Sequence, residues 1–303
     1  MRTILRFQFT GLASALLLVS CCFITVAQLA TAEAARPVDA VGPTITKLQQ
    51  LRAAARSGLA KAQFELGLFY EHGLGVPQNF AQALFWYRKA AAQGCAGAQC
   101  NLGVLYQRGE GVAQDYASGA MWFGKAAAHG NRAAQYNLGL CYLRGRGVPR
   151  DLRRAVTYIR KAAAGDDSHA MGGIGWLYEE GYGVPQSYQK AMRWYKRGAA
   201  AGDADSMVRV GLLHEQGHGV PIDYSKAMKW FKRAATARAP EGEFNVGKLY
   251  ADGLGVQRNP DKARAWFVKA AKAGYPPAIE ALKGRANVTP TDSKGGHKKA
   301  ARK

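Results

Sequence analysis

The chain has 303 residues, 48% of them hydrophobic, with 42 Lys and Arg against 21 Asp and Glu for a formal net charge of +21. A chain of this length can hold itself together by apolar packing. Of its five cysteines, Cys95, Cys100 and Cys141 alone lie beyond an N-terminal Cys21-Cys22 pair, an odd count that argues against a repeating disulfide framework. Charge alone would suit DNA, but the sequence carries no nucleic-acid motif and opens with an export pattern, so nucleic acid is not an expected partner.

That pattern comes first in chain order. Arg2 and Arg6 supply a positive region, Gly11 to Ala27 is a mostly apolar run, and Ala30-Thr31-Ala32 and Ala32-Glu33-Ala34 are small-residue cleavage sites. Residues 1–32 therefore read as a signal peptide, which predicts a periplasmic or secreted protein with no transmembrane segment after cleavage. Two other readings share these residues. An apolar run at the short end of bilayer-spanning length would serve as an uncleaved anchor. Leu18-Val19-Ser20-Cys21 resembles a bacterial lipobox with Cys21 acylated, although Cys22-Phe23-Ile24 continues the apolar run. Residues 33–43 read as a polar linker and 44–61 as an N-terminal capping helix.

Between Ala62 and Pro277 one phrase returns six times at a fixed interval of 36 residues, without insertion or deletion. Its first copy is Leu66-Gly67, Tyr70, Gly73-x-Gly75-Val76, Ala83, Trp86 and Ala90-Ala91. Gly67 recurs as Gly103, Gly139, Gly175, Gly211 and Gly247; Trp86 recurs as Trp122, Tyr158, Trp194, Trp230 and Trp266. Such a period means a stacked array of supersecondary units. The units are 62–97, 98–133, 134–169, 170–205, 206–241 and 242–277. In each, Ala62, Leu66, Phe69 and Tyr70 or their equivalents mark one face of a first helix. Gly73 and Gly75 stop it, since glycine adopts the left-handed conformation of a helix end. Asn79, Asp115, Asp151, Ser187, Asp223 and Asn259 stand where a side-chain oxygen would cap a second helix, worth about 1 kcal/mol each. Gly67 and its equivalents sit inside the first helix, where glycine costs roughly 1 kcal/mol relative to alanine. Repetition of that cost predicts a steric reason: a bulky residue of the neighbouring helix, the Trp86-type aromatic, lying on bare backbone while Ala83 and Ala90 let the helices close up.

Leu-Gly-x-x-Tyr-x-x-Gly-x-Gly-Val followed by Ala-x-x-Trp-Tyr-x-x-Ala-Ala resembles the Sel1-like repeat, a relative of the 34-residue tetratricopeptide repeat. The resemblance covers about residues 62–277, with local departures at Gly119, Tyr158, Gly198 and His214. It implies an all-α, right-handed α-α superhelical solenoid of six helix-turn-helix repeats. It also implies a non-enzymatic scaffold or adaptor of the bacterial envelope or secreted space, with a protein or peptide partner and no cofactor. Residues 278–283 read as a closing C-terminal helix, and 284–303 as a disordered basic tail without apolar periodicity.

Candidate chemistry is sparse. His214-Glu215-Gln216-Gly217-His218 matches the short His-Glu-x-x-His pattern of zinc proteases. Gly217 occupies a helix-stop position, however, so His218 falls in the loop and no metal site is expected. The Gly-x-Gly loops follow helices rather than strands and are not phosphate cradles. No catalytic residue is assigned. Position 89 is basic in every copy, as Lys89, Lys125, Lys161, Arg197, Arg233 and Lys269. There a cation favours the helix dipole, and Lys190, Arg193, Lys226, Lys229, Lys262 and Arg264 extend the series into a basic ridge. The ridge is either a solvated face or, with the tail, a binder of an anionic envelope surface, polymer or lipid head group. Helical angle puts positions 64, 68 and 71 opposite the first-helix core stripe. These slots are apolar, so they either pack on the next repeat or form a partner groove. Phe64, Tyr136 and Trp176, with Arg108, Arg144 and Arg209 nearby to pair acidic groups, are the candidate partner-binding residues.

Overall fold

A computed structural model describes residues 41–286, and these fold into helices joined by short loops without a strand. The signal, anchor and lipobox readings, most of the linker and the tail beyond residue 286 lie outside the described residues. The chain divides into two compact units, Met1–Ala201 and Gly202–Lys303. The first holds α1 (Val41–Arg56), α2 (Ala60–His72), α3 (Phe80–Ala92), α4 (Ala96–Arg108), α5 (Tyr116–Ala128), α6 (Arg132–Arg144), α7 (Leu152–Ala164), α8 (Ser168–Glu180) and α9 (Tyr188–Ala200). The second holds α10 (Ala204–Gln216), α11 (Tyr224–Thr236), α12 (Pro240–Asp252), α13 (Pro260–Lys272) and α14 (Pro276–Ala286). Helix α1 begins within the segment read as linker, and α14 runs three residues into the segment read as tail. The fold is the expected all-α solenoid: apolar clusters overlap along the array, one joining α1 to α3, the next α2 to α4, the next α4 to α6. Each repeat is thus held by its neighbours alone, as in a one-dimensional stack.

All six second-helix caps form. The side chains of Asn79, Asp115, Asp151, Ser187, Asp223 and Asn259 each accept a hydrogen bond from a backbone N–H of the first turn. The stop signals also act as read. Gly73 has φ 71°, and the N–H of Leu74 reaches back to the Phe69 carbonyl at 2.9 Å. The loop then closes through the Asn79 N–H onto the Tyr70 carbonyl at 2.8 Å, a bond repeated in every copy. A side chain finishes the turn. Gln78 donates to the Glu71 carbonyl at 2.8 Å, and Gln114, Arg150, Gln186 and Arg258 repeat the bond in their own loops.

The steric reason for the helical glycines is real, but the knob is not the expected one. A methyl group built on Gly67 would lie 2.5 Å from the Tyr87 ring. Gly103 meets Phe123, Gly139 meets Ile159, Gly175 meets Tyr195, Gly211 meets Phe231 and Gly247 meets Phe267, all at 2.5–2.8 Å. The filler is the residue after the Trp86-type position, and Tyr87, Phe123 and Phe231 have no exposed surface. Ala83 and Ala90, both fully buried, let the two helices approach this closely. Positions 86 and 87 lie about 100° apart on the helix, and the 87 side turns into the hairpin.

Where the knob is tyrosine, its hydroxyl needs a partner, and the first helix supplies one. Tyr87 donates to Glu71, and Asn101 donates to the Tyr87 oxygen at 3.0 Å. Tyr195 donates to Glu179 at 2.5 Å. Where the knob is Phe123 or Ile159 the facing residue is Gln107 or Leu143, and Glu215, facing Phe231, pairs instead with Lys248 at 3.2 Å. The buried tyrosine hydroxyls are thus satisfied in the copies that carry them.

Two measurements test this packing. Gly103→Ala forces a methyl into the Phe123 ring and should destabilise the protein by about 1–3 kcal/mol, whereas Gly124→Ala, on a helix with nothing within 4 Å, should stabilise it by roughly 0.5–1 kcal/mol. Urea denaturation midpoints read both. Tyr87→Phe removes the short hydrogen bond to the Glu71 carboxylate, which keeps the longer one from Asn101 at 3.4 Å, and should cost about 1–3 kcal/mol; adding Glu71→Gln, the pairing of the second repeat, should recover most of it in a double-mutant cycle.

Candidate functional site

First helices are enclosed far more than second helices. In α4 every residue from Ala98 to Leu105 is buried, while α5 buries one stripe. The first helix packs on its own second helix, on the preceding hairpin and on the next first helix. This settles most of the slots opposite the core stripe: Leu68, Glu71, Cys100, Val104, Leu140 and Val208 are all buried.

The six candidate residues separate accordingly. Phe64 is half-buried, and its ring lies 2.9 Å from a methyl built on Gly97 of the next repeat. Tyr136 is 3% exposed and fills the space beside Gly173 in the same way. Both act as wedges between repeats. Trp176 is half-buried, packs on the cluster that contains Tyr136, and sets its indole 5.1 Å from the exposed Tyr182 ring. Arg144 is half-buried, and burial together with the neighbouring Arg146 lowers its affinity for the proton, while Tyr136 opposes that shift. Arg108 is exposed and pairs with Glu110 at 3.7 Å. Arg209 belongs to the second unit, beside Glu241. The structure therefore gathers Tyr136, Arg144 and Trp176 in the first unit and leaves Phe64, Arg108 and Arg209 elsewhere.

Two residues that were not anticipated stand beside these: Tyr182 next to Trp176, and Arg146 near Arg144 with its guanidinium 5.6 Å from the Tyr116 ring. They fill the x of Gly-x-Gly, which across the copies reads Leu74, Glu110, Arg146, Tyr182, His218 and Leu254. Each is flanked by glycines with φ near 70°, so the backbone under it is constant while its chemistry varies. Variation on a constant, solvent-facing scaffold was the signal available in the sequence. The second loop glycine has a packing role. A methyl on Gly111 or Gly183 would lie 2.6 Å from backbone of Phe80 or Leu152, at the start of the preceding second helix. The variable tip is thereby fixed to the repeat before it.

The Trp86-type aromatics take a different part. In each copy the cation at position 89 lies over this ring: Lys89 at 5.2 Å from the Trp86 centroid, Lys125 at 4.2 Å from Trp122, Lys161 at 5.6 Å from Tyr158, Arg197 at 4.4 Å from Trp194, Arg233 at 4.3 Å from Trp230 and Lys269 at 4.2 Å from Trp266. These are cation–π pairs one helical turn apart. They explain the repeated base together with the dipole term.

The His-Glu-x-x-His match has no helix to carry it. Helix α10 ends at Gln216, Gly217 takes φ 74°, and His218 lies beyond. Cys95 and Cys141 are free thiols, and burial pushes the pKa of the Cys141 thiol up to about 12. Near Arg209, burial raises the Glu241 carboxyl above its ordinary range, Arg209 pulls it down and Asp205 pushes it up. Tyr275 is pushed up to about 12 by burial and then by Glu241.

All six repeats match the Sel1 repeat family, at residues 60–95, 96–131, 132–167, 168–203, 204–237 and 240–275. The chain belongs to the Sel1 repeat family, whose members generally mediate protein–protein interactions and are typically non-catalytic scaffolds. Among solved structures it is similar to a Sel1 repeat protein from Oxalobacter formigenes, with 34% identity over 78% of this chain and 68% of that one and a TM-score of 0.68. It is also similar to a protective antigen of uropathogenic Escherichia coli strains displaying an SLR fold, with 34% identity over 78% of this chain and a TM-score of 0.67. There it spans about half of the antigen's length, 51%. One segment of 36 residues is 58% identical to the chitin synthase regulator of Saccharomyces cerevisiae, covering 12% of this chain and 5% of the regulator. Among the described residues no helix is long and apolar enough to cross a membrane.

The Glu241 environment yields a pH test. A carboxyl whose folded pKa is raised stabilises the fold below its unfolded pKa and loses that contribution as pH rises through the folded value. At pH 7 the ionised Glu241 is therefore a net cost. Glu241→Gln should raise the melting temperature at pH 7, and the gain should shrink toward zero as pH falls below about 4.5, the ordinary glutamate value. Calorimetry of both proteins across that range checks the sign.

Proposed function

We propose that this protein is a non-enzymatic adaptor of the bacterial envelope or secreted space, and that it captures a protein or peptide partner on the first-helix and loop-tip edge of its repeats. The observation that carries this is in the first unit, where the Trp176 and Tyr182 rings lie 5.1 Å apart at a 48° tilt, Trp176 packs on the cluster that contains Tyr136, and Arg144 lies near both Tyr136 and Arg146. Aromatics and arginines on a rigid support are the residue types that dominate binding energy. Guanidiniums such as those of Arg144 and Arg146 would suit an acidic peptide segment. Arg108, one repeat earlier at the position of Arg144, and Phe64 at the first repeat are the outlying members of the proposed surface, and Arg209 is a candidate contact of the second unit by itself. Tyr136 supports it from within. Export rests on the N-terminal pattern of Arg2, Arg6, the apolar run and the small-residue cleavage sites. The protective antigen with the same fold fits such a setting.

A second reading has its own observation. Helices α7, α9 and α11 carry four Lys or Arg each and no Asp or Glu. We propose that this basic ridge attracts an anionic envelope polymer or lipid head group.

The primary reading is tested with a photo-crosslinking residue at Tyr182 in the native cell. One discrete crosslinked protein is expected, and Arg144→Ala with Arg146→Ala, which leaves the Trp176 packing intact, should cut it at least tenfold while helicity holds. Tyr136 is left intact, because its removal would open the interface between repeats. Crosslinking that is unchanged in the double variant would remove the proposed surface.

A further inference from the structure

Position 70 and its equivalents are tyrosine in five of the six copies, and their rings stand half-buried in the seam between consecutive second helices. The seam collects cations. In the first unit the Arg160 guanidinium of α7 lies 3.5 Å from the Tyr178 hydroxyl, and the Lys190 ammonium of α9 lies 5.4 Å from the same ring. In the second unit Lys232 of α11 and Lys262 of α13 lie 5.9 and 5.6 Å from the Tyr250 ring. Two like charges from different repeats thus converge on one tyrosine, twice. Among the described residues none of these four forms an ion pair with a carboxylate. The two cations that flank each phenol present positive potential and hydrogen-bond donors to a phosphate-sized anion.

The same face also carries apolar side chains. Positions 82, 85 and 89 fall within one helical stripe, and the residues at position 85 are Phe85 and Met121 in the first two copies, 46% and 49% exposed, then Arg193 and Lys229 in the fourth and fifth. Lys89 lies 4.5 Å from the Phe85 ring. A soluble polyanion has no use for exposed Phe and Met. A bilayer surface uses both features, taking cations at its phosphates and apolar side chains just below them.

We propose that the second-helix face of the first unit docks on an anionic lipid bilayer, with a lipid phosphate seated at the Arg160–Tyr178–Lys190 seam and with Phe85 of α3 and Met121 of α5 inserted into the bilayer; the Lys232–Tyr250–Lys262 seam offers the second unit a lipid phosphate site of its own. This rests on the second reading above and commits it to one partner.

The test is co-sedimentation of the full-length protein with phosphatidylglycerol vesicles, phosphatidylcholine vesicles and, separately, binding to soluble polyphosphate. Wild-type protein should bind phosphatidylglycerol vesicles and not phosphatidylcholine, and added salt should weaken the association. Arg160→Gln with Lys190→Gln should weaken vesicle binding by roughly thirtyfold, as expected for two basic residues near the surface. Phe85→Ser with Met121→Ser should weaken it by several-fold and leave polyphosphate binding unchanged. These four residues are solvent-exposed, so circular dichroism should match wild type in both variants. The N-terminal apolar run is present in every protein compared, so the differences report the second-helix face. Binding of polyphosphate without vesicles would overturn the bilayer and keep the anionic-polymer reading. Binding of neither would overturn both, and equal vesicle binding by wild type and variants would overturn the proposed face.

Discussion

The contact on which the array depends is a side chain resting on helix backbone. In each hairpin, position 87 or its equivalent occupies the space a methyl group would take at the glycine twenty positions earlier. Close-packed interiors tolerate little change in volume, so this contact fixes the separation of the two helices within narrow limits. Once that separation is fixed, fully buried alanines such as Ala83 and Ala90 become necessary, because nothing larger fits. The hairpin is then a rigid unit. Within each compact unit the hairpins stack because the second loop glycine, at Gly111, Gly147, Gly183 and Gly255, seats its hairpin on the backbone of the one before it. A helix-interior glycine that loses roughly 1 kcal/mol of propensity is therefore the condition for the rest of the packing.

Much of this was legible in the residues. The fixed interval, the glycine stops and the six caps follow from local rules, and local rules hold here because every repeat meets the same neighbours. The knob was misread for an instructive reason. Trp86 and its equivalents are aromatic in all copies, whereas position 87 runs Tyr, Phe, Ile, Tyr, Phe, Phe. Invariance suggested the structural role, yet the invariant ring is the one that supports the cation at position 89. The buried position tolerates variety because it requires bulk and, when a hydroxyl is present, an acceptor. The Tyr87–Glu71 and Tyr195–Glu179 pairs show that second condition being met, and it becomes visible only when two columns of the repeat are read together.

The candidate surface was less legible. Helical angle correctly set positions 64, 68 and 71 opposite the core stripe, but an angle on one helix says nothing about a third packing partner. Tyr136 looked like a groove residue and is a wedge against Gly173. Charge showed a similar division. The basic residues were countable along the chain, but their convergence on Tyr178 and Tyr250 depends on how successive hairpins stack. In this molecule the constant positions build the scaffold, and the loop tips and outer stripe, where residue type changes from copy to copy, are free to carry recognition.

The central claim is the identity of the knob, and the α-proton shifts of the helical glycines test it most directly. An aromatic ring lying on a glycine shields its α protons, and an isoleucine does not. Nuclear magnetic resonance should show upfield-shifted α protons and cross-peaks to the position-87 ring for Gly67, Gly103, Gly175, Gly211 and Gly247, with Gly139 unshifted beside Ile159. Cross-peaks from these glycines to the Trp86-type indoles, or a shift at Gly139 like the other five, would contradict the account.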